Sequence, residues 1–136
     1  MAALTLARNT PERSGDVLGY PVKASVKPIQ GGIAVLSGGY AAPGTAATGL
    51  IAIGRFDETV DNSAGSNGDA SVRVKRGTFK FGNSAAGDAI AQADVGADCY
   101  IVDDQTVAKT SGTNTRSVAG KIIAVDADGV WVKVGQ

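Results

Sequence analysis

Near the C-terminus, two runs of β-branched residues flank an acidic turn in Val118–Val134, V-A-G-K-I-I-A-V-D-A-D-G-V-W-V-K-V. Such runs favour a pleated, half-buried strand. Asp128-Gly129 between them is a hairpin signal, because a type I′ turn needs positive φ at both central residues. With those two residues as the loop, Val125 faces Val132 and Ile123 faces Val134, and the four build one apolar core face. The reverse face then carries Ile122, Ala124, Asp126, Trp131 and Lys133, which is too apolar for ordinary solvated surface. The hairpin therefore predicts a β protein with one face left over for a partner.

The rest of the chain agrees with a β fold. Its 136 residues suffice for one modest core without metal or disulfide staples, and 19 glycines with 5% aromatics imply short strands and many turns. The expectation is an all-β fold, a compact sandwich or barrel, jelly-roll-like, of short antiparallel strands. An extended N-terminal arm covers residues 1–18 and a single β domain covers residues 19–136.

Several function classes are disfavoured. Thirteen basic and thirteen acidic residues cancel, which removes the global attraction most nucleic-acid binders use, so no nucleic acid is expected as partner. Histidine is absent, excluding His-based triads and imidazole metal sites. The one cysteine, Cys99, lies in a strand-like C-Y-I-V run and reads as a small buried hydrophobe. No apolar run reaches about 18 residues and the N-terminus lacks a signal-peptide pattern, so a soluble protein without membrane contact is expected.

In chain order, the arm contains Leu4 and Leu6 before a polar stretch broken by Pro11 and Gly15. It reads as a frayed terminus or as an arm lying on a neighbouring subunit. Clean alternation predicts a strand from Tyr20 to Pro28, with Val22, Ala24 and Val26 on one side. Paired glycines bracket a short strand, Ile33 to Leu36, and Leu50 to Ile53 is apolar on both faces, as in a central or covered strand. Asp57 to Asp69 is the longest loop candidate. In Asp69 to Phe81, strict alternation separates Val72 and Val74 from Phe79 and Phe81, and a bulge at Arg76-Gly77 would bring all four onto one face. That leaves Arg73, Lys75 and Lys80 as an outer basic stripe, either solvated or docked on an acidic partner. A helical turn is expected around Gln92 to Val95, and a second hairpin joins Cys99–Val102 to Thr106–Thr110 through Asp103-Asp104-Gln105.

A faint internal echo runs through this order. Ile33 to Val74 ends in V-R-V-K and Cys99 to Val134 in V-W-V-K, each after a strand, a loop and a strand with an acidic turn. It implies two similar β-units folded face to face.

Chemistry-bearing motifs fail on their spacing. Asp126-Ala127-Asp128-Gly129 opens like a calcium loop, but the sequence stops before the twelfth loop position. Gly120-Lys121 lacks the rest of a P-loop. Asp103 and Asp104 are adjacent strand-end residues pointing in different directions. A Ser or Thr nucleophile activated by Lys121 has no supporting spacing. No catalytic residue, metal site or cofactor is assigned, and no enzymatic activity is expected.

Residues Asp88 to Ala108, D-A-I-A-Q-A-D-V-G-A-D-C-Y-I-V-D-D-Q-T-V-A, together with T-R-S-V-A-G-K-I-I-A-V-D-A-D-G-V-W-V-K-V, resemble the small capsid decoration, or cement, proteins of tailed bacteriophages and prophages, Mu-like phages included. The resemblance covers roughly residues 85 to 134 and, by pattern only, the earlier strands. It implies a structural virion protein, made in the bacterial host cytoplasm, that binds the outer surface of the capsid and clamps neighbouring major capsid subunits. Its partners would be the major capsid protein and further copies of itself, as a trimer or else a dimer. The expected oligomer or capsid interface comprises Leu4, Leu6, Leu50, Arg73, Lys75, Ile122 and Trp131. A competing reading is a virion-displayed β-domain that binds carbohydrate or a host surface, disfavoured by three Tyr and one Trp available for stacking.

Overall fold

The computed structural model describes residues 3, 5–8 and 15–135. The described residues are all-β, with ten strands among them: β1 Val17–Pro21, β2 Ile33–Ser37, β3 Tyr40–Pro43, β4 Ile51–Phe56, β5 Ser71–Lys75, β6 Gly77–Asn83, β7 Asp98–Ile101, β8 Thr106–Ala108, β9 Val118–Asp126 and β10 Gly129–Val134. Two short 3-10 turns, Ala86–Asp88 and Gln92–Asp94, are the helical pieces among the described residues.

The strands form two units with one topology. The first five make a sheet in the order β1-β5-β4-β2-β3, and the last five a closed barrel that reads β6-β10-β9-β7-β8 before returning to β6. Each strand of the second unit thus occupies the place of the strand five earlier in the chain. Registers agree as well. Arg55 and Phe56 pair with Lys75 and Val74, while Lys121 and Ile122 pair with Lys133 and Val132. Ala34 pairs with Gly54 and Cys99 with Gly120, and a bulge follows both pairs.

Turn geometry repeats the match. The Gly31 N–H donates to Phe56 O at 2.9 Å and the Gly96 N–H to Ile122 O at 2.8 Å, and the two glycines have φ of 93° and 95°. The barrel closes through the parallel β6–β8 pair. The first unit closes only through one parallel bridge, Val22 with Ala41. The echo in the sequence is therefore a structural duplication: V-R-V-K is β5 and V-W-V-K is β10.

Apolar side chains fill both units. Val22, Ala34, Ala41, Ile53, Phe56, Val72 and Val74 form one cluster. Cys99, Ile101, Val107, Ile122, Val130 and Val132 belong to the other, which Ile33, Val35 and Ala42 of the first unit also join. That sharing fuses the units. It also explains the unbroken apolar run of β2, whose Ile33, Ala34 and Val35 are all fully buried because both its faces are covered.

Several sequence expectations need correction. The first strand is Val17–Pro21, not Tyr20 to Pro28, so Val17 and Leu18 belong to the sheet and not to the arm. Beyond Val22 the chain turns, with Ser25 at φ 63°, and the long loop holds it there: Asn62 Nδ2 donates to Lys23 O at 2.9 Å. Arg76-Gly77 is not a bulge gathering four side chains onto one face. The chain changes units there, so Val72 and Val74 enter one cluster while Phe79 and Phe81 pack in the other.

The closing hairpin is present with a different register. Its loop is Ala127-Asp128, since Asp126 pairs with Gly129, Val125 with Val130 and Ala124 with Trp131; Ile122 pairs with Val132, which leaves Ile123 as the extra residue of a bulge. The glycine is needed for another reason than turn φ. A Cβ on Gly129 would sit 2.8 Å from Phe81 O of the neighbouring strand.

Candidate interaction surface

Alternation along β10 sends Val130, Val132 and Val134 into the core and Trp131 and Lys133 outward. Trp131 is 37% exposed, yet it is held. Its indole Nε1 donates to Asp126 Oδ2 at 2.9 Å, and Lys80 Nζ lies 5.9 Å from the ring centroid. Lys80 also bridges Asp126 at 3.1 Å and Asp128 at 2.7 Å.

These contacts widen the pH range over which Lys80, Asp126 and Asp128 are charged. Hydrogen bonds to Asp128 and then Asp126 raise the Lys80 pKa. The Trp131 indole, followed by Lys80, lowers that of Asp126, and Lys80 lowers that of Asp128. The ring is thus an exposed aromatic fixed in one orientation, which reduces the entropy lost when a partner covers it.

Ile122 does not share this face. It is 1% exposed and lies within the barrel core, so its expected place at an interface is overturned. The bulge at Ile123 is the cause: one extra residue reverses the facing of everything beyond it, and Ile123 is the exposed isoleucine, at 47%. Val95, 39% exposed, adjoins β9 through the Gly96–Ile122 hydrogen bond.

The duplicated unit supplies an internal control. At the matching places the first unit has Gln30 for Val95, Asp57 and Glu58 after Phe56 where Ile123 and Ala124 follow Ile122, and Arg73 for Trp131. There Arg73 Nε pairs with Glu58 at 3.5 Å. At these places the same backbone carries polar or charged side chains in one unit and apolar ones in the other, while one position earlier the order reverses, with Ile29, 51% exposed, standing where the second unit has Asp94. Folding does not require the apolar version.

No family model, no curated protein and no solved structure matches this chain.

The remaining expected interface residues fall in different places. Leu50 is half-buried against the barrel core, and its N–H donates to Ser117 Oγ at 3.0 Å. Its neighbour Ile51 is the open one, at 63%. Arg73 and Lys75 point outward from β5. Lys80 stands in the other unit, tied to two aspartates, so the expected three-residue basic stripe is split. Leu6 is 83% exposed, and Leu4 lies outside the described residues. Val95, Ile123 and Ile51 were missed from sequence. Aligning G-G of the first unit with G-A of the second at Gly31 and Gly96 could have found Val95.

Groups suited to catalysis are scattered. Burial pushes the Cys99 thiol up to about 12, far from a nucleophile's range. Asp103 Oδ1 accepts the Gln105 N–H at 2.9 Å and so shapes a turn. A cleft of about 340 Å³ between the units is lined by Ile29, Gln30, Gly31, Gly32, Asp104 and Gln105, a set with one acidic side chain and no base to pair with it.

Proposed function

We propose that this protein is a non-enzymatic structural component of a phage virion, which binds the outer surface of the capsid and stabilises the shell by clamping neighbouring major capsid subunits. The observation that carries the reading is the exposure of Trp131, Ile123 and Val95, apolar where the duplicated unit has Arg73, Asp57 and Gln30. A rigid β scaffold with a preorganised aromatic suits an adhesive role, because many copies acting together stabilise a shell even when each contact is weak. The resemblance over residues 85 to 134 is what suggests the capsid as the partner.

Co-sedimentation with cognate mature shells tests the reading. Trp131→Glu is expected to weaken binding by about thirtyfold or more, the size of an interface hot spot of roughly 2 kcal/mol, while far-UV circular dichroism stays unchanged. A folded Trp131→Glu variant that binds shells as the parent does contradicts it.

A further inference from the structure

A second apolar opening lies where the N-terminal arm joins the domain. Tyr20, Ile51, Ala52, Ile53, Arg76 and Gly135 line a cleft of about 200 Å³. It exists because β5 pairs with β4 only at Arg55 and Phe56 and then ends at Lys75, leaving Ile51 to Ile53 without a β5 neighbour on that side. Ile51 is 63% exposed at its mouth. Ile51 opens a central strand and, with Ala52 and Ile53, gives the cleft a contiguous apolar wall.

Arg76 links this cleft to the arm. Its backbone N–H donates to Asp16 O and its Nε to Gly15 O, both at 2.8 Å, and a Cβ on Gly15 would lie 2.6 Å from the guanidinium. The arm thus leaves the domain from a fixed root on the cleft's rim. Farther out, Leu6 is 83% exposed, so it does not fill the cleft of its own chain. The segment from Leu6 to Gly15 spans at most about 30 Å when extended. That is enough to cross to an adjacent copy.

We infer that the cleft under Ile51 receives the Leu6 segment of a second copy of this chain, so that copies associate by exchanging arms. The open cleft and the exposed leucine are complementary in chemistry and present in equal number. Exchange of an identical element between protomers needs no new surface and closes naturally into a small symmetric oligomer. The inference concerns the free protein and does not rest on capsid binding.

The test mixes two full-length single variants, Leu6→Cys and Ile51→Cys, under mild oxidation and follows disulfide-linked dimers on non-reducing gels. The native Cys99, fully buried, does not compete. The mixed dimer is expected to form at least about tenfold faster than either variant's own dimer, because docking raises the effective concentration of the two thiols. A Leu6→Cys/Ile51→Cys double variant should join different chains, and Ile51→Asp, at an exposed site, should shift the light-scattering mass to that of a single chain. Mixed dimers no faster than self-dimers, or a double variant that closes only within one chain, overturns the inference.

Discussion

Ile122→Asp is expected to abolish folding, while Ile123→Asp, one residue along, leaves the domain folded. Ile122 is packed in the barrel with Val130 and Val132, and truncation to alanine alone costs about 2–5 kcal/mol there. An uncompensated carboxylate adds a burial penalty of several kcal/mol, which together matches the whole stability of a typical domain, about 5–15 kcal/mol. Ile123 protrudes from the bulge, 47% exposed, and a surface change of this kind costs roughly 0.5 kcal/mol or less. Urea denaturation followed by circular dichroism separates the two. The opposite ranking would restore the unbulged register, with Ile123 in the core and Ile122 on the partner face.

The second large effect concerns two glycines at matching places in the two units. A Cβ on Gly54 would lie 2.3 Å from Lys75 O, and one on Gly120 2.0 Å from Lys133 O. In both, a strand backbone crosses where a side chain would stand. Alanine at either site must push the strands apart, and each substitution is expected to lower stability by roughly 1–3 kcal/mol or more. Gly54 carries an added penalty at φ 153°. Gly19, whose Cβ would meet nothing within 4 Å, is the control; alanine there should change the denaturation midpoint little. A tolerated Gly120→Ala beside a damaging Gly54→Ala would show that the two units do not share this crossing.

Much of this architecture is visible in the sequence because its causes are local. Alternation marks β5 and β10, Gly31 and Gly96 mark equivalent turns, and V-R-V-K with V-W-V-K marks the duplication. What escapes the sequence is set by distant partners. Nothing in I-I says which isoleucine faces inward; the bulge against Trp131 decides it. Val22, Ala24 and Val26 alternate like a strand, yet Asn62, from a loop far along the chain, holds that segment in a turn. The role of Gly129 depends on β6, a strand nearly fifty residues earlier. The candidate face is likewise half legible: Trp131 follows from the β10 alternation and Val95 from aligning the two glycine turns, whereas Ile123 joins it only once the register is known.

The central claim, that the face carrying Trp131 meets a capsid, is tested most directly by a reconstruction of the cognate mature shell decorated with this protein. The account predicts density for the β domain on the outer surface, with Trp131, Ile123 and Val95 covered by the major capsid protein and the charged face at Arg73 and Glu58 left open to solvent. A decorated shell in which Trp131 faces solvent, or a shell that acquires no density at all, would contradict it.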